Sequence, residues 1–194
     1  MSLHEQWEKT SAQAYLGMTV PGFPNFAIVY GPNTNLGHNS IILMIEAQSA
    51  YINRLIAAVC KNSDKNPAVS GAYLSIQPRA DASHTWNAKV QIELSQSTLA
   101  SPECSSWYRA TDGRITTNWS KNVVEYQKQV SAINWMVFEL QGPGSKELLS
   151  QGKTSWNRVV EESRVWEQLF ALGSALGLIV VAATLGWSHF LSFA

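Results

Sequence analysis

Apolar and polar positions divide the chain into runs of different period. Phe26 to Tyr30 is a short apolar run between turn residues, rich in β-branched and aromatic side chains, and it predicts a buried strand. Gly31 and Pro32 stop it, and a polar loop runs from Asn33 to Asn39. Ser40 is placed to cap a long apolar helix from about Ile41 to Val59. Its first two turns, Ile41 to Ile45, are apolar nearly all round, which expects protein on every side; later the apolar positions narrow to Tyr51, Ile52, Leu55, Ile56 and Val59. A strand, a glycine-containing loop and a helix N-terminus in succession make an anion-accepting geometry, because free backbone N–H groups and the helix dipole point into the loop.

The flanking sequence predicts smaller elements. Ser2 to Ala14 is polar and reads as a loop with a helical turn, and Met18 to Asn25 is extended, broken by Pro21 and Pro24. Lys61 to Ser70 is a polar loop and the expected domain boundary. Tyr73 to Gln77 predicts a strand. Pro78 and Asp81 open a helix to about Leu99, with Trp86, Val90 and Leu94 on one stripe. Asp112-Gly113 signals a hairpin between strands at Ser105–Ala110 and Ile115–Trp119. Lys121 to Ser131 predicts a helix, Trp135 to Leu140 a final strand closed by Gly142-Pro-Gly144, and Ser145 to Gln168 a charged, mildly helical linker.

Composition changes sharply near the end. From Leu169 to Ala194 there is no Asp, Glu, Lys or Arg. Leu169 to Trp187 is long enough to cross a bilayer core of about 30 Å as a helix, and Lys153, Arg158 and Arg164 precede it. The expectation is a single-pass C-terminal membrane anchor with the soluble part in the cytosol; a buried helix of a soluble protein is the competing reading. The 14 basic and 14 acidic residues cancel and form no basic stripe, so nucleic acid is not an expected partner. Cys60 and Cys104 are far apart and read as reduced thiols. The four histidines lack ligand spacing, so no metal site is expected.

The wording around the glycine-containing loop is more specific than its pattern. Gly22-Phe-Pro-Asn25, Gly31-Pro-Asn33, Gly37-His-Asn-Ser40, Ile45-Glu-Ala-Gln48 and Tyr51-Ile52 resemble the flavin-containing and Baeyer–Villiger monooxygenases, in particular the branch of the ketone-oxidising 4-hydroxyacetophenone monooxygenases. The resemblance resumes at Cys104-Ser-Ser-Trp-Tyr108, Asp112-Gly-Arg114, Asn118-Trp-Ser120 and Tyr126, and covers roughly Trp7 to Gln141. It implies an FAD cofactor reduced by NADPH, oxygen capture on the flavin, and attack on a ketone or a soft heteroatom of a small organic substrate. It also implies a flavin-side segment made of Gly31, Pro32, Asn33, Thr34, Leu36, Gly37, His38, Asn39 and Ser40.

No Gly-x-Gly-x-x-Gly stands anywhere in the chain, whereas the family carries two. The expected fold is therefore α/β: residues 1–60 as the C-terminal remnant of a Rossmann-type FAD-binding domain, 61–150 as a small α+β region, 151–168 as a linker and 169–187 as the transmembrane helix. The expected function is that of the C-terminal portion of a monooxygenase, with catalysis depending on the rest of the enzyme. The alternative is a non-catalytic, membrane-anchored interaction protein derived from one. As generic residues, His38 reads more readily as structural than catalytic, and Glu46 as a hydrogen-bonding carboxylate rather than a base. Trp107 and Tyr108 read more readily as hairpin core than as a substrate wall.

Overall fold

A computed structural model describes residues 2–37, 40–63, 73–103, 106–157 and 172–174. Met1–Val159 form one compact unit and Val160–Ala194 a second. The expected transmembrane segment lies outside the described residues except for 172–174, which are helical. The first unit contains helices α1 (Leu3–Thr10), α2 (Ile41–Ser63), α3 (Ala80–Ser95), α4 (Val123–Val130) and α5 (Ser145–Gln151). Its strands are β1 (Ser75–Pro78), β2 (Ala132–Asn134), β3 (Phe138–Gln141) and β4 (Lys153–Ser155).

Two small antiparallel ribbons flank the helices, β1 with β3 and β2 with β4. In the first, Ile76 faces Leu140 and Pro78 faces Phe138, with Ile76 and Phe138 buried. The outer edge of β1 is closed by one side chain. Asn25, at φ 56°, donates from Nδ2 to Leu74 O and accepts at Oδ1 from the N–H of Ile76, while its own N–H donates to Ile76 O. An amide that copies a strand's hydrogen bonds blunts an edge that would otherwise invite another chain.

α2 carries the core. Met44, Ala47, Gln48, Tyr51, Leu55 and Ala58 recur at helical spacing and are buried against α4 and β1. The all-round apolar start is not enclosed as the sequence suggests: Ile42 is 65% exposed, and Ile41 and Ile56 are exposed as well. On the far side, Trp86 and Trp119 stack with centroids 6.0 Å apart, and Trp119 meets Tyr126 edge-on at 5.4 Å. At the end of the unit, Arg54 lies 4.0 Å over the Trp156 ring, which fastens β4 to α2.

Several elements differ from expectation. Phe26–Tyr30 is not a buried strand. It makes a single bridge, Thr19 to Ala27, and Phe26, Val29 and Tyr30 are exposed. Apolar composition sets a demand for burial but supplies no hydrogen-bonding neighbour, and Tyr30 at φ 58° breaks the extended path. The Asp112-Gly113 turn forms, but its strands shrink to the bridge Arg109–Ile115. Trp135–Val137 is a 3-10 turn rather than strand, because Asn134 Oδ1 accepts from the N–H of Met136 and curls the chain. In the described part of the expected linker, helix α5 is followed by β4, which pairs with β2, and 158–168 lie outside the described residues. The helix from Ile41 ends at Ser63, inside the expected boundary loop, and 64–70 of that loop lie outside the described residues.

Two of the close-approach glycines lie in one turn-and-loop contact. A Cβ on Gly17, at φ 68°, would stand 2.1 Å from Thr34 Cγ2 and 2.7 Å from Pro32 O; one on Gly31 would stand 2.3 Å from Gly17 O. At Gly113, φ 86°, a Cβ would meet open space. Gly17→Ala should therefore lose about 3 kcal/mol or more from overpacking plus backbone strain, and Gly113→Ala about 1 kcal/mol from strain alone. Denaturant midpoints of the two variants check the difference.

Candidate functional site

The loop from Tyr30 to Gly37 is suspended between α2 and the segment after the hairpin by polar groups. Tyr30 N–H donates to Gln48 Oε1 at 2.7 Å. Gln48 Nε2 donates to the Tyr126 hydroxyl at 2.9 Å, and that hydroxyl donates to Leu16 O at 2.6 Å. Gln48 and Tyr126 are both 0% exposed, so each bond is made away from water, where an unpaired group would be costly.

Asn33 holds the other side. It is fully buried at φ 58°, a conformation that asparagine tolerates better than most residues. Its Nδ2 donates to Ile115 O at 2.7 Å and Asn118 O at 2.9 Å, and its N–H donates to Thr116 O at 2.9 Å. Asn35 continues the contact: its N–H donates to Thr117 O, and its carbonyl accepts from the N–H of Trp119. Thr34 Oγ1 donates to Gly31 O at 2.7 Å and closes the turn.

An open cleft of about 360 Å³ lies beside this loop. Tyr30, Gly31, Pro32 and Asn35 form one wall, Trp107, Thr116 and Thr117 another, and Trp7, Ala12 and Ile28 complete it. None of these described lining residues is charged. The cleft offers aromatic faces, an amide and three hydroxyls, which suits a planar or compact neutral group.

The nine residues of the expected flavin-side segment separate by environment. Gly31 and Pro32 line the cleft. Asn33, Thr34 and Leu36 are buried within the fold, and Gly37 and Ser40 are exposed. His38 and Asn39 lie outside the described residues. Trp107 is 78% exposed and lines the cleft, so the reading as hairpin core is corrected: the short bridge leaves its ring no layer to bury against. Sequence reasoning also missed Trp7, Tyr30, Asn35 and the two threonines. The signal for Trp7 was present, a lone tryptophan in a polar stretch.

The fold is that of the Baeyer–Villiger monooxygenases. The structure of OTEMO in complex with FAD and NADP superposes with a TM-score of 0.55 at 24% identity, over 73% of this chain and 25% of that one. Oxidised steroid monooxygenase bound to NADP gives a TM-score of 0.52 at 22% identity, over 81% of this chain and 25% of that one. No protein-family model matches the chain. Sequence relatives carry the assignment further. The FAD-binding monooxygenase ktnD of Aspergillus niger is 44% identical over 188 residues, 96% of this chain and 30% of the relative. A Baeyer–Villiger monooxygenase of Streptomyces coelicolor is 32% identical over 147 residues, 76% of this chain and 27% of the relative. The chain belongs to the FAD-binding and Baeyer–Villiger monooxygenase family, and it spans less than a third of the length of these relatives.

Two measurements test the scaffold of the loop. Asn33→Ala should cost about 2–4 kcal/mol, because it takes the Asn33 donor from the Asn118 carbonyl, leaves Ile115 O with Gln91 Nε2 alone and forces alanine into a left-handed conformation; a denaturant titration reads it. Burial also holds the Tyr126 hydroxyl well above its ordinary value, against a smaller lowering by the Gln48 hydrogen bond, and burial raises Tyr51 too. The unfolded phenols ionise near pH 10 and the folded ones later, so above pH 10 the unfolded chain binds fewer protons. The stability these tyrosines contribute is whole below pH 10 and falls as pH rises past it. A phenolate absorbance titration should show two tyrosines ionising together with alkaline unfolding.

Proposed function

We propose that this chain provides one wall of the cofactor and substrate site of an FAD- and NADPH-dependent monooxygenase. The reaction is Baeyer–Villiger oxidation of a ketone or oxygenation of a soft heteroatom. The carrying observation is the uncharged, aromatic-walled cleft beside Gly31 and Pro32, in a chain 44% identical to an FAD-binding monooxygenase. In this reading, residues 1–60 end an FAD-binding domain and 61–150 form the α+β region that closes over it.

The flavin-side segment is Gly31, Pro32, Asn33, Thr34, Leu36, Gly37, His38, Asn39 and Ser40. The residues present fit such a group. Gly31 and Pro32 present a small, uncharged surface to the cleft, Gly31 is held against the Gly17 carbonyl behind it, and Asn33 and Thr34 fix the loop from inside. FAD, when bound, supplies reduction by NADPH and oxygen activation. This chain's part is to hold the loop, stack aromatic rings and keep water from the reacting face. An uncharged wall favours a neutral substrate over an ionised one.

Grafting decides between this reading and loss of function. Replace the matching 188 residues of the Aspergillus niger relative with this chain and measure flavin content and NADPH-dependent oxygen uptake. The chimera is expected to retain FAD and oxygen uptake, and Gly31→Ala within it to lose FAD. A stably folded chimera without flavin overturns the proposal.

A second reading has its own observation. Ile42, Ile56, Phe26 and Val29 are exposed apolar residues, 65%, 52%, 41% and 46% accessible. They favour a non-catalytic interaction protein, with 169–187 as a single-pass membrane anchor and the rest cytosolic. Among the described residues, the helix long and apolar enough to cross a bilayer is Ile41–Asn62, part of the core helix α2. Alkaline carbonate extraction tests the anchor: the full chain should pellet and the chain lacking 169–194 should not.

A further inference from the structure

We propose that α1 is a hinged cover over the cleft, and that Trp7 on its cleft side sets the size of ligand admitted. The inference rests on the cleft being the ligand site.

Three independent observations support the cover. First, α1 is self-sufficient. Ser2 Oγ accepts from the N–H of Glu5, and Glu5 Oε2 accepts from the N–H of Ser2, a reciprocal cap that needs no tertiary partner. No residue of α1 is buried, so the helix adds nothing to the core. Second, the joint after α1 is strained. Ser11 sits at φ 57° and ψ 168°, a combination that glycine adopts freely and serine does not. Third, that joint carries a latch. Ser11 Oγ donates to Asp112 Oδ2 at 2.7 Å, across the hairpin turn. Asp112 Oδ1 accepts from the N–H of Arg114, so the carboxylate is fixed in place to receive the hydroxyl.

Trp7 gives the cover its purpose. Its Nε1 donates to Gln13 O at 3.1 Å, a bond that spans the Ser11 joint, holds the ring on the cleft while the cover is closed and breaks when it opens. The ring lines the cleft together with Tyr30 and Trp107. When the latch opens, the strained Ser11 relaxes and α1 swings away with Trp7, widening the entrance. When the latch holds, Trp7 limits the cleft to a compact ligand.

The test uses the full chain and two fluorescent dyes of different bulk, anilinonaphthalene sulfonate and its dimeric form. Ser11→Ala removes the latch and should speed amide exchange across residues 3–10 by roughly three- to tenfold, the factor expected from one lost charge-assisted hydrogen bond. Dye association should accelerate with it. Trp7→Ala should raise affinity for the bulkier dye several-fold relative to the smaller one, and Trp7→Phe should restore most of the discrimination. Unchanged exchange in Ser11→Ala overturns the hinge, and equal changes for both dyes in Trp7→Ala overturn the size role. Trp107→Ala is the control for the cleft itself. If it leaves both dyes bound as before, the cleft is not their site, and that reading falls together with the cover.

Discussion

The carboxamide of Gln48 is the fixed point of the molecule. It accepts from the backbone of Tyr30 and donates to Tyr126, whose hydroxyl reaches the Leu16 carbonyl. One side chain on α2 thereby joins the glycine turn, the loop beside the cleft and helix α4. The joint is dry, so every member must stay paired, and a shift in one element would orphan a group in another. Hydrophobic packing around Tyr51 and Met44 holds α2 and α4 together but does not fix their register. The amide and the phenol do.

The same economy describes the loop. Asn33 faces inward to the carbonyls of Ile115 and Asn118 and Thr34 to Gly31, while Tyr30, Gly31, Pro32 and Asn35 are turned to the cleft. A wall of this kind binds by shape and stacking. Among the described lining residues none is charged. What a protein contributes in such a case is placement and dryness.

Helix positions were legible because their signals are local: the stripe of Val90 and Leu94, the run from Lys121 to Ser131 that holds α4, and the Ser2–Glu5 cap, recognised only as a helical turn. Strands were not, since a strand exists only where a second segment presents matching groups. Phe26–Tyr30 has the composition and lacks the neighbour; Lys153–Ser155 is polar and exposed, yet pairs with β2. The flavin-like wording drew attention to the loop from Gly31 to Ser40. It could not say that Asn33 and Thr34 point inward, nor that Trp107 stands in the open, because both depend on contacts with residues far along the chain. Trp7 escaped notice because a single aromatic residue in a polar stretch carries no period.

Sequence distance along that network also sets an order of events. Asn33 waits for residues 82 and 85 positions later, and Leu16 waits for Tyr126, 110 positions later. On a ribosome the loop is made early, and its partners emerge only after most of this unit has been synthesised. Local helices such as α1 and α2 can form at once, while the loop beside the cleft stays unsupported until the hairpin and α4 arrive. The wall of the cleft is therefore assembled late, and a nascent chain stalled before the hairpin would carry every residue of that loop without the partners that hold Asn33 and Asn35.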